Sequence, residues 1–336
     1  MKILIAPDKF RGTMTSQQFI DAVSEIIGAR HELLKFVVSD GGDGLIEALK
    51  SEEVALNVHD ALMRPTQASF GYVGNGDAVV EMARASGLSL VGGIAGNDPM
   101  QATTFGTGEL MRAAILSGAT RIIVGCGGSA TTDGGLGALE ALGDAIFSSG
   151  VTFIALSDVR IKFKDAAREF GPQKGASAEQ VLLLEQRLIE IANGYAKRYG
   201  RDPSDVVGSG AAGGLAGMIY AIGGEILDGF DFVSKAIGLE ESLQVCDAVI
   251  TGEGKLDLQS LNGKVVGSLI DLAKSYKKRI LVVCGTYEAD DLEVFQSEYV
   301  KVVSLSHRFG QWLSLNDPVT SLKNIIAASD VTRWLD

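Results

Sequence analysis

Glycine recurs in this sequence beside side chains that carry charge or donate protons, in five short stretches. Residues 7–13 include Asp8, Lys9 and Arg11, and residues 39–44 read Ser-Asp-Gly-Gly-Asp-Gly. Residues 125–135 hold Gly127, Gly128, Ser129, Ala130 and Asp133; residues 251–257 hold Glu253 and Asp257; Cys284-Gly285-Thr286 closes the set. Each stretch follows an apolar run with the character of a strand. In a parallel sheet, ligands gather at the carboxyl ends of strands, where loops lead into helices.

The richest loop, residues 125–135, is suited to an anion. Consecutive glycines ahead of a helix let several N–H groups converge on one negative group, and the helix N-terminus adds favourable potential. Gly125-x-Gly127-x-x-Ala130 and Gly208-x-Gly210-x-x-Gly213 both satisfy a loose dinucleotide fingerprint, for which tight strand–helix packing is an equal explanation. Neither loop is followed by the ribose-binding acid of a nicotinamide enzyme, and no Walker A motif is present. Asp40/Asp43 and Glu253/Asp257 are candidate Mg²⁺ ligands, since magnesium bound with a nucleotide needs one or two carboxylates. Asp43 reads first as a turn residue; Glu253, between glycines directly after an apolar run, reads as functional. Lys9 and Arg11 follow a strand end. Lys174 sits in a Gly/Pro turn before a long helix, and Lys264 opens a helix after the Glu253–Asp257 loop.

The elements that must position these groups alternate strand and helix. Strands are expected at residues 2–6, 33–38, 121–125, 248–251, 279–284 and 301–305. Thr15-x-x-Gln18 is a capping box for a helix to about residue 27, and a further helix runs from the Asp40 turn to about residue 50. Residues 54–82 change to alternating strands, with Asn75-Gly76 as a hairpin turn. Residues 134–142 read as a small-residue helix, and 179–198 as a longer one with Val181, Leu184, Leu188, Ile191 and Tyr195 at helical spacing. Asp317-Pro318 is an N-cap and N1 pair. The class is α/β with parallel sheets, and the hairpin-bearing middle suggests an inserted domain: residues 1–50 with 245–336 form one Rossmann-like domain, and 51–244 the insertion.

Composition narrows the partners. The 336 residues suggest two domains, and 42 of them are glycine without a collagen-like period. Thirty basic against 42 acidic residues give a net charge of −12, which argues against nucleic acid and anionic membranes as partners. Cys126, Cys246 and Cys284 are odd in number and far apart, so no disulfide framework is expected. With only His31, His59 and His307, zinc sites and His-centred triads are disfavoured, and the histidines read as surface or packing residues. Residues 206–224 carry no charge but contain seven glycines, and read as a glycine turn and small-residue helix rather than a membrane span. A cytoplasmic protein is expected.

Eight of these stretches, in order, resemble the bacterial glycerate kinase family. They are Ile5-Ala6-Pro7-Asp8-x-Phe10-x-Gly12, Ser39-Asp40-Gly41-Gly42-Asp43-Gly44, Glu81-Met82-Ala83-x-Ala85-Ser86-Gly87-Leu88 and Ala102-Thr103-Thr104-Phe105-Gly106-Thr107-Gly108-Glu109-Leu110. The set continues with Gly127-Gly128-Ser129-Ala130-Thr131-x-Asp133-Gly134-Gly135 and Phe170-Gly171-Pro172-Gln173-Lys174-Gly175-Ala176. It ends with Gly210-Ala211-Ala212-Gly213-Gly214-Leu215 and Ile250-Thr251-Gly252-Glu253-Gly254-x-x-Asp257-x-Gln259. The resemblance implies ATP- and Mg²⁺-dependent phosphorylation of D-glycerate to 2-phosphoglycerate. It also implies two α/β domains, one with a parallel and one with a mixed sheet, and an active site in the cleft between them. A homodimer is left open.

Within that resemblance, the loop of Gly127, Gly128, Ser129 and Ala130 holds phosphate, with Gly210, Gly213 and Lys264 as further nucleotide contacts. Glu253 and Asp257 hold Mg²⁺, and Lys174 offsets charge on the transferring group. Lys9, Arg11, Thr104, Gly106, Thr107 and Gly108 bind the glycerate carboxylate, and Asp8, Asp40 or Asp133 accepts the hydroxyl proton. The sequence departs from the family in three places. Lys9 stands where Ser is usual, and Arg11 where Lys is usual. Residues 144–157 replace a much longer segment, and Arg160-Ile161-Lys162 replaces Asn-Pro-Leu after Val159. The shortening leaves open a kinase of another small hydroxy acid or a non-catalytic nucleotide-binding relative; a nicotinamide-dependent oxidoreductase is the remaining alternative.

Overall fold

The computed structural model describes residues 1–10, 12–147, 150–261 and 264–335, so Arg11 and the Asn262-Gly263 pair ahead of Lys264 lie outside the described residues. The described residues form eleven strands: β1 (Lys2–Ile5), β2 (Glu32–Lys35), β3 (Glu52–His59), β4 (Pro65–Gly74), β5 (Asp77–Glu81), β6 (Arg121–Gly125), β7 (Thr152–Ser157), β8 (Glu225–Asp228), β9 (Ala248–Leu256), β10 (Arg279–Tyr287) and β11 (Val300–Ser304). Backbone contacts group the chain into two units, Met1–Ser39 with Val233–Asp336, and Asp40–Phe232. The Asp40 turn and the helix Leu45–Ala48 thus fall with the second unit, where that helix packs on β5.

The first unit carries a five-stranded sheet in the order β11-β10-β9-β1-β2, parallel throughout. Its central strands are buried on both faces, as their continuous apolar sequences require. Ile3 and Ile5 join Ile250, Leu281 and Val283 in one core with Phe19 and Val23 of the helix Ser16–Ile27 and Leu322 and Ile325 of the helix Pro318–Ala327. Ile250 is 0% exposed, and truncating such a side chain to alanine costs about 2–5 kcal/mol. Both helix starts behave as their sequences predict. Thr15 and Gln18 cap each other reciprocally, and Asp317 accepts a hydrogen bond from the Thr320 amide ahead of Pro318.

The second unit carries a six-stranded mixed sheet in the order β3-β4-β5-β6-β7-β8. β4 runs antiparallel to β3 and β5, and β5 through β8 are parallel. The β4–β5 turn is the Asn75-Gly76 hairpin, with φ +52° and +85° at its two residues, the left-handed pair such a turn demands. The helix Ala178–Tyr199 buries Leu184, Leu188, Ile191 and Tyr195, and the Tyr195 ring meets Phe163 edge-on at 6.3 Å.

Several expected elements differ from those observed. The second strand covers Glu32–Lys35 rather than 33–38, and the helix after the Asp40 turn stops at Ala48. β9 and β10 run on to Leu256 and Tyr287, so Glu253 stands within a strand rather than in a loop. β7 and β8 were not anticipated. The uncharged stretch 206–224 becomes a tight turn at Ala211–Gly214 and a seven-residue helix, Leu215–Ala221. No described helix is long and apolar enough to cross a membrane. All three cysteines are free and buried.

Candidate active site

In the first unit the strand order reverses between β1 and β9, since β2 lies on one side of β1 while β10 and β11 continue from β9 on the other. Ligands bind outside the carboxyl ends of the strands at such a reversal, and here the acidic residues gather. Asp8 follows β1, donates its amide to Gly252 O at 2.8 Å, and accepts the Lys9 amide on Oδ1 at 2.7 Å. Glu253, in β9, is 5% exposed, and its Oε1 has no hydrogen-bond partner among the described residues. Burial pushes the Glu253 carboxyl up to about 8; the charges of Asp8 and Asp257 add to this, while the Ser260 hydroxyl and the Lys264 charge oppose it. Asp257 and Ser260 are tied reciprocally, amide to hydroxyl at 3.2 Å and amide to carbonyl at 2.9 Å. Lys264 stands at the N-cap of the helix Val265–Ser275.

This group fits a magnesium ion better than a protein-caged metal. Among the described residues no three potential ligands gather into a metal cage. Magnesium takes one or two carboxylates and completes its shell with water and phosphate oxygens. The buried Glu253 Oε1, without a hydrogen-bond partner among the described residues, is a group whose charge a cation would offset.

In the second unit the loop after β6 holds the richest polar cluster. Gly128 has φ +72°, and no acceptor among the described residues takes the N–H groups of Gly127, Gly128 or Ser129. The loop is pinned beside them by the Ala130 amide to Ser86 O at 2.9 Å and the Leu88 amide to Gly128 O at 2.9 Å. A run of unclaimed amides on a fixed backbone is an anion cradle.

Asp133 is 8% exposed and heavily hydrogen-bonded. Its Oδ2 accepts the amide and hydroxyl of Thr104, both at 2.8 Å, and the Thr103 hydroxyl and Gly137 amide, both at 3.2 Å. Its Oδ1 accepts the Gly135 amide at 3.1 Å. Asp133 therefore joins the Thr104 loop to the start of the helix Leu136–Leu142. Lys174, 5% exposed, donates its ammonium to Thr131 O at 2.6 Å. Burial pulls its pKa down to about 7, against the charge of Asp133, which raises it.

The remaining sequence-predicted residues divide by what their atoms already touch. Asp40 caps its own turn, accepting the Gly42 amide on Oδ1 at 3.1 Å. The Thr107 hydroxyl is given to Ser86 Oγ at 2.8 Å, while Gly106 and Gly108 lie in the first turn of the helix Phe105–Leu116, packed against His59 O and Ala138 O with no room for a side chain. Gly210 donates its amide to Ile161 O at 3.0 Å, and a side chain at Gly213 would meet Thr131 O at 2.0 Å. That stretch uses glycine for close packing, and the amide of Gly210 is not open to phosphate.

Three contributors escaped the sequence reading. Asn97 donates its side-chain amide both to Ala130 O at 3.0 Å and to Lys174 O at 2.9 Å, clamping the two loops together. Ser260 supports Glu253 and Asp257 from a turn with no distinctive motif. His59, read as a surface or packing residue, has its Nδ1 3.1 Å from both carboxylate oxygens of Glu109.

The whole chain resembles known proteins. The model of the glycerate kinase family matches residues 3–150 and 145–328, two stretches that meet in the segment after Gly143. Glycerate 2-kinase of Escherichia coli K12 is 36% identical, with 90% of each chain covered, and glycerate kinase of Bacillus subtilis 168 is 35% identical, with 88% of each covered. The crystal structure of a putative glycerate kinase 2 from Salmonella typhimurium LT2 superposes with a TM-score of 0.76 over 99% of both chains, at 30% identity. The chain belongs to the glycerate kinase family.

Proposed function

We propose that the chain transfers the terminal phosphoryl group of ATP to D-glycerate, giving ADP and 2-phosphoglycerate. Family membership carries the kinase activity, and the observation that supports it most directly is the row of unclaimed amides at Gly127, Gly128 and Ser129. Phosphoryl transfer asks a protein mainly for positioning and charge stabilisation. The substrate hydroxyl oxygen forms a bond to phosphorus, the bond to the ADP oxygen breaks, and the hydroxyl proton passes to a carboxylate.

The roles follow from the kind of group each residue offers. The amides of residues 127–129 hold phosphate, and Lys174 in its charged form offsets the negative charge of the transferring group. Glu253 and Asp257 would hold Mg²⁺, which would supply positive charge to offset that of the phosphates. Thr104 has given its hydroxyl to Asp133, so the carboxylate of glycerate is met by the amides of Gly106 and Thr107 at the helix start, with Lys9 and Arg11. Asp133, with five donors on it, positions loops. Asp8 or Asp40 accepts the proton. Exposed Leu182, Leu183 and Ile189 on the helix Ala178–Tyr199 support a homodimer.

The test is ATP consumption with D-glycerate and Mg²⁺, with NMR of the product. Formation of 2-phosphoglycerate is the expected result. Another phosphorylated product would move the substrate or the carbon. No turnover together with no stabilisation by Mg-ADP would overturn the kinase reading.

A further inference from the structure

At the carboxyl ends of β10 and β11, two rings lie face to face. The Tyr287 ring stacks on His307 with centroids 4.2 Å apart and planes 5° from parallel. A near-parallel pair at this separation is the offset stack that aromatic rings prefer, and here it is held in place. Ser304 does the holding: its Oγ lies 3.0 Å from His307 Nδ1 and 3.1 Å from Ser306 Oγ, and donates to Gly285 O at 3.1 Å. Tyr287 is half-buried at the end of β10, and His307 is exposed. His307 is thus exposed with its ring held in orientation, toward the carboxyl ends of the strands of the sheet that also carries Glu253 and Asp8.

We propose that the Tyr287–His307 stack is the platform for the purine ring of ATP. The inference rests on the kinase reading and adds to it the seat of the base. From β11 across β10 to β9 is two strand spacings, about 10 Å, and Glu253 pairs with Cys284, three residues before Tyr287. An extended nucleoside triphosphate with its base on His307 covers that span and brings its phosphates to Glu253, Asp257 and Lys264. Stacking supplies affinity without demanding a particular hydrogen-bond pattern, and the Ser306 hydroxyl at the rim is placed to meet the edge of the base.

The experiment measures binding by titration calorimetry of Mg-ADP and, separately, of tripolyphosphate with Mg²⁺. The proteins are the full chain, Tyr287→Ala, His307→Ala and His307→Phe. Removing a stacking ring is expected to weaken Mg-ADP binding by about 5- to 150-fold, to leave tripolyphosphate binding unchanged, and to be rescued in His307→Phe. Equal Mg-ADP affinity in all four proteins overturns the platform while leaving the kinase reading intact. Equal weakening of Mg-ADP and tripolyphosphate also overturns it, since the defect would then not be in the base. If the unaltered chain binds no Mg-ADP and phosphorylates no glycerate, the kinase reading falls and this inference with it.

Discussion

Asp133 receives both the amide and the hydroxyl of Thr104 on one carboxylate oxygen, each at 2.8 Å. The Thr104 hydroxyl in turn accepts the Ala138 amide at 2.9 Å, so a single carboxylate fixes a substrate-side loop and a helix start together. Asp133→Asn replaces an acceptor with a group that must donate on one side. Hydrogen bonds to a charged group are worth about 1.5–3 kcal/mol each in net stability. The variant is expected to lose about 2–4 kcal/mol in urea unfolding by the same principle, and kcat/KM is expected to fall with it.

Lys174 provides a pH signature. Its folded pKa of about 7 lies below the ordinary lysine value of 10.5. Between those limits the unfolded chain binds more protons than the folded one, so stability rises with pH across that window and is lower by a constant amount beneath it. Lys174→Met removes this dependence. Unfolding free energy measured from pH 6 to 10 should therefore climb more steeply in the unaltered protein than in the variant. In the free enzyme, kcat/KM should decline above about pH 7, as the charged form is lost.

Glu253 acts in the opposite sense. Its carboxyl is raised from 4.5 to about 8, so over that range the folded state holds the extra proton and stability falls as pH rises. Glu253→Gln is expected to melt higher than the unaltered protein at pH 8 without ligand, and equally at pH 4.5. With Mg-ADP the order at pH 8 should reverse, because the variant lacks the carboxylate that holds the cation. Melting curves with and without Mg-ADP decide it.

Asn97 touches carbonyl oxygens of two loops but no group assigned to the chemistry. Asn97→Ala should leave the fold intact at a cost of about 1–3 kcal/mol and lower kcat more than it raises KM for ATP. An unchanged kcat would show that the clamp between Ala130 and Lys174 is dispensable.

What the sequence disclosed was periodic or locally signalled. β6 is found at the predicted residues 121–125 because Ile122, Ile123 and Val124 form an unbroken apolar run, and the Thr15 capping box and Asn75-Gly76 turn are local chemistry. β7 was hidden because its six residues, Thr152–Ser157, end the stretch 144–157, which matches no familiar pattern. β8 was hidden because only Ile226 and Leu227 of its four residues are apolar. The extension of β9 through Gly252 and Gly254 could not be read, since glycine weakens a strand signal. At the site, the carboxylates and Lys174 were legible by type, whereas the purpose of each glycine was not. Gly128 and Gly213 look alike in sequence, yet one borders unclaimed amides and the other is pressed against Thr131 O. Asn97 gave no signal because its partners are distant carbonyls.

The pairing of β1 with β9 joins Ile3 to Ala248, and this sets an order of events during synthesis. A ribosome adding about 5–20 residues per second exposes β1 and β2 roughly 10–50 s before β9 exists. During that interval β1 lacks its partner β9, and by its end every strand of the second sheet has been made. Residues 40–232 can close on their own, and the first sheet is completed only when the last third of the chain returns to it. Translation stalled just before residue 248 should therefore yield a ribosome-bound chain whose Asp40–Phe232 unit resists protease and whose first 39 residues do not.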